Sequence, residues 1–130
     1  MSLFPEKLHA RRASAFDGDR DPSLRFGISE QMPVYAIAQL TITDQSAYQR
    51  YQDRFMGVMA RYKGQVLAAD EHPKVIEGTW DRHKVVLLSF PDEAAFWEWE
   101  KSTDYQEIAR DRKAGSSAVV LLVRGFPAQI

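Results

Sequence analysis

Residues 34–64 read VYAIAQLTITDQSAYQRYQDRFMGVMARYKG, and two periodicities meet in them. Val34 to Ile42 is rich in β-branched and aromatic residues, the composition of a strand. Thr43 or Asp44 then offers a side-chain oxygen to the free amides of a helix start. From there Tyr48, Tyr51, Phe55, Val58, Met59 and Tyr62 recur at three- and four-residue spacing, which is a single apolar helix face. Gly64 suits the left-handed position that closes a helix.

Downstream, Gln65 to Ala69 reads as the second strand. Val75 to Trp80 reads as a third strand or the far arm of a hairpin, with Asp70-Glu71-His72-Pro73 as the turn. His83 to Phe90 is a further strand, and Pro91-Asp92 stops it and opens a helix with Ala95, Phe96 and Trp99 on one side. Ser102-Thr103-Asp104 interrupts that helix. Thr103 with Gln106 fits a capping box for a second piece, whose buried side is Ile108 and Ala109. Ser117 to Val123 is the last strand. The order β-α-β-β-α-β predicts an α+β fold of ferredoxin-like type, an antiparallel sheet with its helices on one face.

A sheet covered on one face alternates apolar with polar residues. Val85-Val86-Leu87-Leu88 and Ala118 to Val123 are apolar at every position, so the face away from the helices also needs cover. A second copy of the same sheet is the economical candidate, which predicts a homodimer joined sheet to sheet. The regular pattern runs over residues 32–130. Residues 1–31 are aperiodic, with a short helix over Leu3 to Ala13 and a turn at Asp17 to Pro22, and read as an arm, partly disordered or packed on the partner subunit.

Composition narrows the function classes. The chain has 130 residues, enough for one domain, and its 17 Lys plus Arg against 18 Asp plus Glu lack the basic surplus of a nucleic-acid binder. With no cysteine, disulfide scaffolds, thiolate zinc sites and cysteine nucleophiles are excluded. The longest apolar run, Ala118 to Val123, is too short to span a bilayer, and no secretory pattern opens the chain, so a cytoplasmic protein is expected. Asp17-x-Asp19-x-Asp21 fails as a calcium loop because Pro22 replaces the glycine and Ile28 the chelating glutamate. Glycine-rich nucleotide loops are lacking, and neither a metal nor a cofactor is expected.

Several stretches together resemble a known family. They are Pro33-Val34-Tyr35, Tyr48, Tyr51, Gly64 to Asp70, Val75 to Trp80, Ser89-Phe90-Pro91, Trp99, Ser102 and Tyr105 to Ile108. Over Met32 to Phe126 they resemble the domain-of-unknown-function family 1330, a branch of the dimeric α+β barrel superfamily. The resemblance implies two ferredoxin-like protomers packed sheet against sheet. It implies little about chemistry, because the superfamily holds cofactor-free monooxygenases, isomerases, haem-degrading enzymes and non-catalytic regulators. Lys63 stands where many members carry a second glycine, and Ala69-Asp70 where some carry an arginine. The chain has no asparagine, so the Asn, Trp and His set of haem-degrading relatives is not matched.

The residues that could carry chemistry cluster around the segment 70–83. Glu77, after an apolar pair and before Gly78, is the candidate general base; its structural alternative is an ion pair with an arginine such as Arg112 or a cap on a backbone turn. His83, ahead of a strand, is the candidate proton-transfer partner, and His72 the weaker one; solvated loop histidines are the alternative. Tyr35, Tyr48, Trp80 and Trp99, with Asp70 at a strand end, are the candidate pocket residues, and core packing is their alternative. The resulting expectation is a homodimer that binds a small organic molecule and acts as a cofactor-independent enzyme by proton transfer or oxygenation. The alternatives are a non-catalytic binding or regulatory dimer, and a structural role for the arm toward another protein.

Overall fold

Strand β1 (Val34–Ile42) is the axis of the domain in the computed structural model, which describes residues 32–127. The expected arm, its short helix and its turn lie outside the described residues. After β1 come helix α1 (Gln45–Met59), strands β2 (Gln65–Asp70) and β3 (Lys84–Phe90), helices α2 (Glu93–Glu100) and α3 (Thr103–Gly115), and strand β4 (Ser116–Arg124). The sheet order is β2-β3-β1-β4 and every pairing is antiparallel. This is the α+β, ferredoxin-like arrangement that the β-α-β-β-α-β order implies, with the second helix in two pieces. Among the described residues no helix is long and apolar enough to cross a membrane.

Each helix starts where a short polar side chain can serve the orphan amides. Asp44 Oδ1 accepts from the amides of Ser46 and Ala47 at 3.1 and 3.2 Å. Asp92 Oδ1 accepts from Ala95 N at 2.8 Å. The third cap lies one residue earlier than the capping box suggests. Ser102 Oγ accepts from Tyr105 N at 3.0 Å, and the Gln106 amide donates instead to the Glu100 carbonyl.

Two other expectations are corrected. Residues 75–80 form no strand: they belong to the long connection between β2 and β3. Pro73 lacks an amide for a ladder, Gly78 sits at φ 91°, and Ile76 is 89% exposed. Trp80 draws the connection over the sheet face, donating from Nε1 to Gln39 Oε1 at 2.9 Å. Gly64 is not left-handed, since among the described residues Gly78 alone has a positive φ. It is required for space: a Cβ there would lie 2.5 Å from the Phe90 ring and 2.8 Å from Met59 Sδ.

Register assigns the two sheet faces. Ala36 pairs with Leu88 and Leu122, and Ala38 with Val86 and Val120, on the side facing the helices. Ile37 pairs with Leu87 and Leu121, and Tyr35 with Ser89 and Val123, on the opposite side. The helix-facing side holds the core: Val34, Leu40, Leu88 and Phe90 pack against Tyr48, Val58, Phe96, Trp99, Tyr105 and Ile108. On the other side Val119, Leu121 and Val123 are 41–47% exposed, so the sheet is apolar on both faces as its sequence says.

The passage from α3 into β4 is the tightest junction. The Gly115 carbonyl accepts the amides of Thr43 and Asp44 at 2.8 and 3.1 Å, tying the start of α1 to the end of α3. A Cβ at Gly115 would lie 2.6 Å from the Tyr48 amide nitrogen, a backbone atom that cannot swing aside. Gly115→Ala should therefore lower stability by about 2 kcal/mol. Gly57→Ala, on a helix position with open space around it, should raise stability by about 0.5–1 kcal/mol. Urea unfolding of the two variants checks the pair, and equal effects would remove the steric account.

Candidate functional site

Small side chains on the central strand leave room between sheet and helices. Ala36 and Ala38 stand where larger aliphatic residues would reach the helix layer, and both line a cavity of about 470 Å³. Leu40, Val86, Leu88, Val120 and Leu122 continue its sheet wall, and Phe55, Met56, Phe96 and Trp99 belong to its helix wall. The cavity opens to solvent at its rim, where Met56, Val120 and Trp97 are 41–61% exposed.

Polar groups converge on this apolar chamber. Tyr48 and Tyr51 project from one face of α1, and Tyr105 and Arg112 from one face of α3, two turns apart. The Tyr51 and Tyr105 hydroxyls are 3.2 Å apart, and Arg112 Nε donates to Tyr105 Oη at 3.3 Å. Lys84 opens β3 in register with Leu40, on the helix-facing side, and is only 5% exposed. Its Nζ lies 4.9 Å from the Tyr48 ring centroid, a cation–π contact. Among the described residues no carboxylate lies within ion-pair distance of Lys84 or Arg112. Trp99 is the hub of the aromatic wall, with ring centroids 4.1 Å from Tyr105, 5.4 Å from Phe90 and 5.9 Å from Phe96. Its indole Nε1 is buried and makes no hydrogen bond with the described residues.

Burial governs the ionisation of these groups. It pushes the Tyr48 hydroxyl up to about 12, with Arg112 pulling the other way, and holds Tyr51 well above the ordinary tyrosine value. Burial lowers the Lys84 ammonium, and Glu71, across an exposed gap, opposes it. For Arg112 burial works against the charge, but the oxygens of Tyr105, Tyr51 and Tyr48 outweigh it and raise its pKa. At neutral pH the cavity thus presents protonated phenols beside a guanidinium.

The family model described as a domain of unknown function, DUF1330, matches residues 33–126. The chain belongs to this family. The DUF1330 domain also has likenesses among solved structures. One is a protein of unknown function from Rhodopseudomonas palustris, 20% identical, covering 98% of this chain and 97% of that one at TM-score 0.62. Another is SnoaB from Streptomyces nogalater, a cofactor-independent oxygenase, 18% identical, covering 76% and 95% at TM-score 0.53. A third is a dimeric ferredoxin-like protein of unknown function from Thermobifida fusca, 12% identical, covering 76% and 93% at TM-score 0.56. At such identities these likenesses show the ferredoxin-like fold alone. No curated protein matches the chain.

The residues singled out from sequence divide between separate places. Tyr48 and Trp99 line the DUF1330 cavity. Tyr35 and Trp80 lie on the opposite face of the sheet, Tyr35 in register with Ser89 and Val123, and Trp80 bonded to Gln39. Glu77 is exposed in the β2–β3 connection and makes no ion pair with Arg112, which turns to Tyr105 instead. His83 closes the end of the sheet: its amide donates to the Leu40 carbonyl at 2.7 Å and its Nδ1 accepts from Ile42 N at 3.0 Å. Asp70 Oδ1 accepts the His72 amide in a turn at the exposed end of β2. Glu77 and His83 therefore do not meet at the cavity as a catalytic pair.

Lys84 and Arg112 are the cationic side chains that line the cavity, and of the two Lys84 stands out in the sequence. Strand alternation puts residue 84 on the same side as Val86 and Leu88, and a lysine on the inward side of an apolar strand is an anomaly. The raised tyrosines give a testable pH dependence. Above pH 10 the unfolded chain loses phenolic protons that the folded domain retains, so stability falls as pH rises from 10.0 to about 12. Lys84 acts with the opposite sign below its ordinary value of 10.5, the fold gaining stability as its ammonium discharges. Thermal melts through this range should fall less steeply for Tyr48→Phe than for the wild type; an unchanged slope would place the effect elsewhere.

Proposed function

We propose that this protein is a homodimer that binds a small organic molecule in the cavity between sheet and helices. The observation that carries this reading is the cavity itself, an apolar chamber of about 470 Å³ on which a lysine, an arginine and three tyrosines converge. Its volume falls within the ~300–1,000 Å³ common for small-ligand sites, and its apolar wall with a few polar groups is their usual chemistry. The description of SnoaB as a cofactor-independent oxygenase supports a ligand that is organic and bound without a metal or cofactor. Because Glu77 and His83 stand away from the chamber, the reading is one of binding; neither residue is given a catalytic role.

The second half of the proposal concerns the outer sheet face. The row Leu87, Ile37 and Leu121 crosses three neighbouring strands, flanked by Val85, Val119 and Val123. A monomer that exposed this face would carry an aggregation hazard, and a second copy offers a surface of the same curvature and chemistry. The dimeric description of the Thermobifida fusca protein supports that occupant.

Native mass spectrometry of freshly purified protein should show a dimer of the 14.9 kDa chain with a small organic adduct. Ala38→Leu, which fills the chamber from its floor, should keep the dimer and lose the adduct. Leu121→Glu should give the monomer in sedimentation velocity at micromolar concentration. A wild-type chain that sediments as a stable monomer would sink the dimer, and adduct retention by Ala38→Leu would sink the chamber as the binding site.

A further inference from the structure

The hydrogen-bonding groups that line the cavity are unbalanced, and the imbalance identifies the ligand class. This inference rests on the reading of the cavity as a small-molecule site. Lys84 brings three N–H groups and no acceptor, and among the described residues its only close polar contact is the face of Tyr48. Arg112 brings five N–H groups, of which the one on Nε goes to Tyr105. Trp99 is 4% exposed; its Nε1–H has no partner among the described residues and essentially no accessible surface, so it is packed into the wall. The Tyr48 hydroxyl makes no hydrogen bond with the described residues, and its raised pKa keeps it a donor.

The acceptors are few, and the Gln52 amide, which also lines the cavity, adds one acceptor oxygen beside two N–H groups. The Tyr51 and Tyr105 oxygens are engaged with each other, and Tyr105 also accepts from Arg112. Glu100 is the only acidic side chain among the described lining residues, and it forms no ion pair with either cation. Glu71 acts on Lys84 only through space and stands outside the wall. Three side chains from β3, α1 and α3 therefore present donors, two of them cationic, to a chamber whose described walls are otherwise mostly hydrocarbon, with Gln52 and Glu100 as further polar members. A buried cation without a partner is a standing cost to a fold, and so is a buried indole N–H without an acceptor.

We infer that the cavity binds an organic acid with a planar apolar body, its carboxylate taken up by Lys84 and Arg112 and a further oxygen atom by Tyr48 Oη. A carboxylate matches the planar fork of a guanidinium and supplies lone pairs enough for several donors. The body is placed by Ala36, Ala38, Val86 and Leu88 on one side and by Phe55 and Phe96 on the other. A phosphate monoester fits less well: it is more highly charged and more strongly hydrated, and the chamber has no backbone nest or glycine loop among its described walls to replace that hydration.

Naphthalene-2-carboxylate and naphthalene-2-carboxamide have the same shape and differ in charge, so they separate acid recognition from apolar filling. Calorimetric titration of the full chain at neutral pH should give an affinity for the carboxylate about tenfold or more above that for the amide. Lys84→Met should reduce carboxylate affinity by about tenfold and leave amide affinity within about twofold. It should melt no lower than the wild type, because it removes a buried unpaired charge. Equal affinities for the two probes, or an unchanged preference in Lys84→Met, would overturn the acid assignment and leave the cavity reading standing. Failure of both probes to bind the wild type would also overturn the assignment; if native mass spectrometry then shows no adduct, the cavity reading falls with it.

Discussion

Two methyl groups set the shape of this domain. Ala36 and Ala38 occupy the inward positions at the middle of β1, while Val34 and Leu40 at the ends of the same row are almost fully buried. The helix layer is therefore supported at the ends of the central strand and bridges its middle. The bridged space is the cavity, and aromatic side chains from α1 and α2 reach over it without filling it. Had the strand carried leucine at either position, close packing would have closed the gap. Tyrosines, a lysine and an arginine would then have had no place to meet.

The sheet serves two purposes at once, and β1 is shared by both. Its even-numbered residues floor the cavity, and its odd-numbered residues Tyr35, Ile37 and Gln39 belong to the opposite apolar face. The β2–β3 connection lies partly across that second face, anchored by the Trp80 to Gln39 bond. Ligand chemistry and association chemistry are thus separated by the thickness of one strand layer.

Most of the fold was legible in the sequence because periodicity reports burial directly. The face Tyr48, Tyr51, Phe55, Val58 and Met59 is the buried face of α1, and Asp44 is its cap. The misreadings arose where local composition and tertiary context disagree. Residues 75–80 have strand-like composition, but a strand needs a neighbour to pair with, and Pro73 and Gly78 direct the chain away from one. Gly64 followed a helix and so looked like a left-handed terminator, whereas the constraint on it comes from Phe90, 26 positions away in the sequence of β3. The site was less legible for a related reason. Glu77 and His83 were chosen for chemical type, and type does not tell which way a side chain faces. Tyr48 and Trp99 line the cavity because periodic elements turn them inward. Lys84 was visible by the same rule, as an inward charge on an apolar strand; Arg112 needed the fold, since its role depends on Tyr105 two turns away and on α1 across the cavity.

The direct passage from Gly115 into Ser116 acts as an alignment key for the last strand. A slip of one residue in β4 would exchange Val120 and Leu122 with Val119 and Leu121, and hydrocarbon would replace hydrocarbon on both sides. Hydrophobicity alone therefore cannot tell the right alignment of this strand from its neighbour. What tells them apart is the lack of slack: the Gly115 carbonyl is held by the amides of Thr43 and Asp44, and Ser116 Oγ donates back to the Arg112 carbonyl at 2.7 Å. The strand inherits its phase from the helix before it. An inserted or deleted residue at this point would be read as an error along the whole edge of the sheet, whereas the long segment between β2 and β3 could absorb the same change without altering any pairing.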